Sequence, residues 1–205
     1  MPSFRDDYLS IYKVLDSETR YIFHLWTIYN QLFDTKENVD VLNLAAGDVF
    51  ACFQQVTNRD IVHFIYRTLD KKQTGRNKNL TLFSLLDKRF EPLFPLDELE
   101  KILMNLKDSN DFKRAKDIRN KILAHSDFSK LNQPDTKRTL PFQSIQYLIT
   151  SIGDALNFTS YHVFNETTLY EQTITNLGSD GISLINRLKE TNDHQRHHQR
   201  QTQSP

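Results

Sequence analysis

Residues 8–33 read YLSIYKVLDSETRYIFHLWTIYNQLF, and the spacing of their apolar side chains decides the fold class. Tyr8, Ile11, Tyr12, Leu15, Ile22, Trp26, Tyr29 and Phe33 recur at three- and four-residue steps with one longer gap. That is the stripe of an amphipathic helix laid against a core. A helix is expected over residues 17–34, or from an earlier start, with Trp26 in the core. Asp34-Thr35-Lys36 supplies capping chemistry. Val39, Leu42, Leu44, Ala45, Val49, Phe50 and Phe53 then continue with little polar interruption, which predicts a central second helix. Ile61, Phe64, Ile65, Thr68 and Leu69 keep the period beyond Thr57-Asn58, where a kink or restart is expected.

Further along, Asp70 to Asn79 (DKKQTGRNKN) holds no apolar residue and one Gly, and reads as a solvated loop. Leu80 to Phe90 predicts a short helix closed by Pro92 and Pro95, and Leu96, Leu99, Ile102, Leu103 and Leu106 mark another. Ser109-Asn110-Asp111 breaks it before Phe112 to Ala124. Pro134 and Pro141 bracket a loop, Ile145 to Val163 forms a last long core helix, and Gly178 to Glu190 a short outlying one. No stretch alternates with a two-residue period between turn signals, so strands have no home. The fold class is all-α, a bundle of about five to seven helices. At 205 residues one domain is expected, over 1–191. A disordered His/Gln/Arg-rich tail follows over 192–205, where no aliphatic residue occurs.

With 26 basic and 26 acidic side chains, whole-molecule charge does not draw this chain to a polyanion, so any such site is local. The middle of the sequence supplies one: residues 59–89 carry eight basic and three acidic side chains, whereas residues 1–50 carry four and eight. Residues 107–121 carry six basic and three acidic, an interspersed pattern that reads equally as a solvated face. Cys52 alone builds neither a bridge nor a four-ligand zinc set, so a reducing, cytoplasmic setting is expected. Between Ala51 and Phe53 in an apolar helix, its expected role is inert packing. MPSFRDDY has charges where a signal peptide would be apolar. The longest charge-free run, Thr139 to Gly153, falls short of the ~20 apolar residues of a membrane span. His194, His197 and His198 lack the rigid support of a physiological metal site, and His24 and His162 read as structural. No phosphate-binding glycine loop, serine-hydrolase elbow or HExxH zinc motif occurs, and no metal or cofactor is expected.

The chemistry concentrates in RNKILAHSD, Arg119 to Asp127. Arg119 and His125 lie six residues apart, which on a helix is about 9 Å along the axis and about 120° around it. A long Arg can still swing toward the patch over His125 at a helix end. A plainer account pairs Arg119 with Asp117 or Asp127 and leaves His125 satisfied by the helix dipole. Upstream, Arg59, His63, Arg67 and Asp70 form a polar stripe at four-, four- and three-residue steps. It either lines the same cleft or fixes helix packing, Asp70 then being the internal partner of Arg67.

The string from Arg119 to His125 resembles the R-x(4–6)-H signature of HEPN domains, with a polar residue in second place. The longer form RNKxxAHSD, the helix RDIVHFIYRTLD with its basic loop, and NLTLFSLL resemble the abortive-infection, AbiU-like branch. That resemblance implies a helical bundle that dimerises and brings two motif copies to a cleft, where many relatives cleave RNA without a metal. Carried onto this chain it makes Arg119 and His125 catalytic and Asn120 and Lys121 substrate contacts, with Arg59, His63 and Arg67 as cleft support. The implied partners are RNA, a second copy, and an antitoxin or other regulatory protein. The alternatives are a non-catalytic module that binds RNA or protein through the same cleft, and a purely structural helical dimer.

Overall fold

A computed structural model describes residues 4–120, 139–172 and 178–202, with side chains as far as Thr191. Among the described residues the chain is an all-α bundle of six helices: α1 (Phe4–Phe33), α2 (Lys36–Thr68), α3 (Leu96–Asp108), α4 (Asn110–Ile118), α5 (Phe142–Phe164) and α6 (Gly181–Thr202). The first helix takes the earlier of its two expected starts. α6 runs well beyond the short helix expected there, its backbone continuing past Asn192 to Thr202. No helix among the described residues is long and apolar enough to cross a membrane.

The helix breaks fall where local chemistry is strongest, with one exception. Ser109 leaves the helical region (φ −61°, ψ 149°), and its hydroxyl accepts the Phe112 amide at 3.1 Å, so the Ser-Asn-Asp stretch ends α3 and caps α4. α2 instead runs uninterrupted through Thr57-Asn58 and bends at Ala46 (φ −166°, ψ 68°), eleven residues before Thr57. Leu80 to Phe90 is not an α-helix but two short 3-10 turns, Leu82–Leu86 and Lys88–Phe90. The Asp87 carboxylate accepts the Arg89 amide at 3.1 Å and starts the second turn. The solvated loop carries a pair of two-residue strands, β1 (Gln73–Thr74) and β2 (Asn77–Lys78). They pair antiparallel, Gln73 opposite Lys78, across Gly75 at φ 59°.

The chain divides into two compact units, one of residues 1–23 and 59–172, the other of 24–58 and 173–205. In the first, α3 packs on α4 and α5, and Leu99, Leu103, Leu148, Ile149 and Ile152 are fully buried. Tyr8 is fully buried too, donating to Thr159 Oγ1 at 2.9 Å. Burial above all pushes its phenol pKa up, so it stays neutral. In the second unit Leu32, Leu42 and Ile185 form the centre, with Ile28, Phe50 and Leu188 against them. Trp26 is buried as expected, its ring stacked on Tyr29 at 5.4 Å.

The second helix buries Leu42 but leaves several of its other apolar residues open. Leu44, Val49 and Val56 are 57–65% exposed, and Cys52 is exposed instead of packed. A nearly continuous apolar run gave no period from which to tell the covered side from the open one. His24 and His162 are also exposed, His162 holding the Phe158 carbonyl through Nδ1 at 2.8 Å.

Candidate functional site

Arg119 stands where α4 ends. Phe112, Ala115 and Ile118 turn one face of that short helix inward, and the hydrogen bonding widens to a π-type turn at Arg119 and Asn120, an irregularity common at functional positions. The Arg119 guanidinium lies over the Tyr66 ring, its central carbon 4.5 Å from the centroid. Phe112 backs that ring, nearly parallel at 6.4 Å and 9°. The Arg119 side chain donates through Nη1 to Asn120 Oδ1 at 2.9 Å. Its Nε–H is shut off from solvent and meets no acceptor among the described residues. A guanidinium clamped on an aromatic face presents a cation in one orientation and is suited to receive an anionic oxygen.

Tyr66 was not singled out in the sequence because it sits among apolar residues of α2 and reads as core. Its phenol pKa is raised, first by burial and then by the charge of Asp70, whose carboxylate also accepts from it, while Arg119 pulls the other way. Asp70 therefore serves Tyr66 and, through Oδ1, the Lys71 amide at 2.8 Å. It does not pair with Arg67 as expected: Arg67 reaches back to Glu18 Oε2 at 3.2 Å, an exposed contact. A surface pair of this kind adds little stability. Arg59 and His63 are exposed on α2. The structure thus brings Asn120 to Arg119 and sends Arg67 to α1. Lys121, His125 and Asp127 lie outside the described residues, and Arg119 forms no ion pair within them.

The HEPN_AbiU2 (AbiU2) family model matches residues 5–181, most of the chain and all of this cluster. The chain belongs to the AbiU2 family of HEPN proteins. Searches of the curated proteins and of the solved structures found no match in either. Arg119 and Asn120 are the first two residues of the Arg119–His125 string, which lies inside the matched segment. The Tyr66 platform supplies what the sequence alone lacked: a reason for the guanidinium to hold one orientation.

Proposed function

We propose that this AbiU2-family chain is a metal-independent endoribonuclease, a phage-defence or toxin component in which Arg119 and His125 work at a cleft between two subunits. A neutral imidazole, with an ordinary pKa near ~6.5, takes the proton of a ribose 2′-hydroxyl. The 2′-oxygen attacks the adjacent phosphorus, the 5′-oxygen leaves with a proton from a second acid, and Arg119 stabilises the charge that builds on the phosphate. One chain supplies one Arg–His pair, and a two-fold partner supplies the second. Asn120 holds Arg119, while Lys121 and the exposed Arg59 and His63 offer further contacts to the strand. An antitoxin or other regulatory protein would restrain the activity.

One observation carries this reading: the first residue of the motif is a half-buried guanidinium, clamped on Tyr66, in a family whose wider superfamily contains many nucleases. The test is cleavage of labelled single-stranded RNA in EDTA by the parent protein, Arg119→Ala and His125→Ala. Both variants should retain their fold and lose about a hundredfold or more in rate. RNA bound but uncut by the parent protein would leave the non-catalytic module as the function.

A further inference from the structure

We propose that the hairpin over residues 70–79 is a phosphate-backbone clamp, which guides single-stranded RNA to Arg119. The inference rests on the nuclease reading for its substrate and on an independent set of observations for its place. Lys71, Lys72, Arg76 and Lys78 are all exposed, and none forms an ion pair within the described residues. Asp70 is the one acid in the segment, and its Oδ1 accepts the Lys71 amide at 2.8 Å. The next acid along the chain, Asp87, is held by Arg89 at 3.0 and 3.1 Å, with Lys72 adding only the smallest of the attractions upon it. Four cations are thus left to solvent on one short ribbon.

The ribbon is also built to keep its shape. Asn79 Nδ2 donates to the Lys71 carbonyl at 2.9 Å and to Thr74 Oγ1 at 2.8 Å, while the Asn79 amide donates to the Lys72 carbonyl at 2.9 Å. Gln73 Nε2 closes the turn on the Gly75 carbonyl at 2.9 Å. Neutral side chains make these bonds, so the cations are displayed and not consumed. At about 3.3 Å per residue the ribbon carries charge roughly 13 Å outward from Lys71 to Gly75.

Position and composition narrow the ligand. The hairpin springs directly from the end of α2 at Thr68, whose last turn carries Tyr66, the ring that holds Arg119. Arg119 is therefore held at the end of α2 from which the hairpin leaves. Protein interfaces are anchored mainly by buried aromatic and Arg side chains in apolar pockets, and residues 70–79 offer no aromatic or aliphatic side chain to build one. The same lack removes base stacking, which leaves phosphates as the contact and makes the grip indifferent to sequence.

The test measures binding apart from cleavage. In the full-length His125→Ala protein, anisotropy of a labelled uridine oligomer and of a mixed-sequence oligomer is followed in EDTA between about 50 and about 200 mM KCl. Lys71, Lys72, Arg76 and Lys78 are then all changed to Gln. Affinity should fall about tenfold or more for both oligomers, and the slope of log affinity against log salt should shrink by about 2 to 3. Unchanged affinity and slope, a loss confined to one sequence, absence of RNA binding before the change, or polyglutamate binding in place of RNA would each overturn the clamp. The nuclease reading fails separately. A parent protein that binds RNA through the hairpin without cutting it keeps the clamp and loses catalysis. Cleavage with unchanged KM in the hairpin variant keeps catalysis and loses the clamp.

Discussion

At the scale of single residues, the informative contact joins two side chains 53 positions apart in the sequence, Tyr66 and Arg119. A cation over a ring face is worth about 0.5–2 kcal/mol depending on how dry it is, enough to select one orientation of a flexible side chain. The ring, not the hydroxyl, makes that contact. Tyr66→Phe should therefore cleave RNA within about threefold of the parent protein, while Tyr66→Leu should lose about tenfold or more in kcat with KM little changed. Arginine Nε–H resonances give a second reading that does not depend on activity: the Arg119 signal should carry a ring-current shift in the parent and Phe proteins and lose it in the Leu variant. Equal damage from Phe and Leu would assign the effect to the hydroxyl and Asp70 instead.

At the scale of elements, α5 shows how tightly one helix is specified. Gly153 faces Tyr170, and a Cβ there would stand 2.9 Å from Tyr170 Cδ2 and 3.4 Å from Phe23 Cε2. The ring has little room to yield, because its hydroxyl donates to Asp16 Oδ1 at 2.6 Å and its face stacks on Phe23 at 5.4 Å. Ala would gain about 1 kcal/mol of helix propensity and lose about 1–3 kcal/mol to overpacking. Gly153→Ala should thus lower the melting temperature by about 2–6 °C in calorimetry. An unchanged or raised melting temperature would mean that Tyr170 moves aside. Helix-level features were legible where a residue acts on its own backbone: Ser109 announced the end of α3, and Ile145 to Val163 announced α5. The bend at Ala46 had its sign in the neighbouring Gly47, the weakest helix former after proline, and not in alanine itself, the strongest. The open face of α2 and the Tyr66 platform had no such local sign. Both depend on what stands opposite, which a period along one strand of sequence does not encode. The hairpin was read as loop because two-residue strands are too short to alternate.

At the scale of the whole molecule, the proposed chemistry asks for more groups than one chain offers. Sedimentation at micromolar concentration without RNA should show a dimer, and a strict monomer would count against the catalytic cleft. The first compact unit has a further property set by chain order. Arg5 donates to the Val163 carbonyl at 3.2 Å and Tyr8 to Thr159 at 2.9 Å, pairs 158 and 151 residues apart. Synthesis at about 5–20 residues per second separates such partners by roughly 8–30 s, and the motif arginine is made during that interval, before α5. The Tyr66 and Phe112 rings that hold Arg119 are made before it, whereas α5, on which α4 packs, is made after. The core around Tyr8 therefore closes only once α5 (Phe142–Phe164) has been made, so the two halves of this unit depend on each other across most of the chain's length.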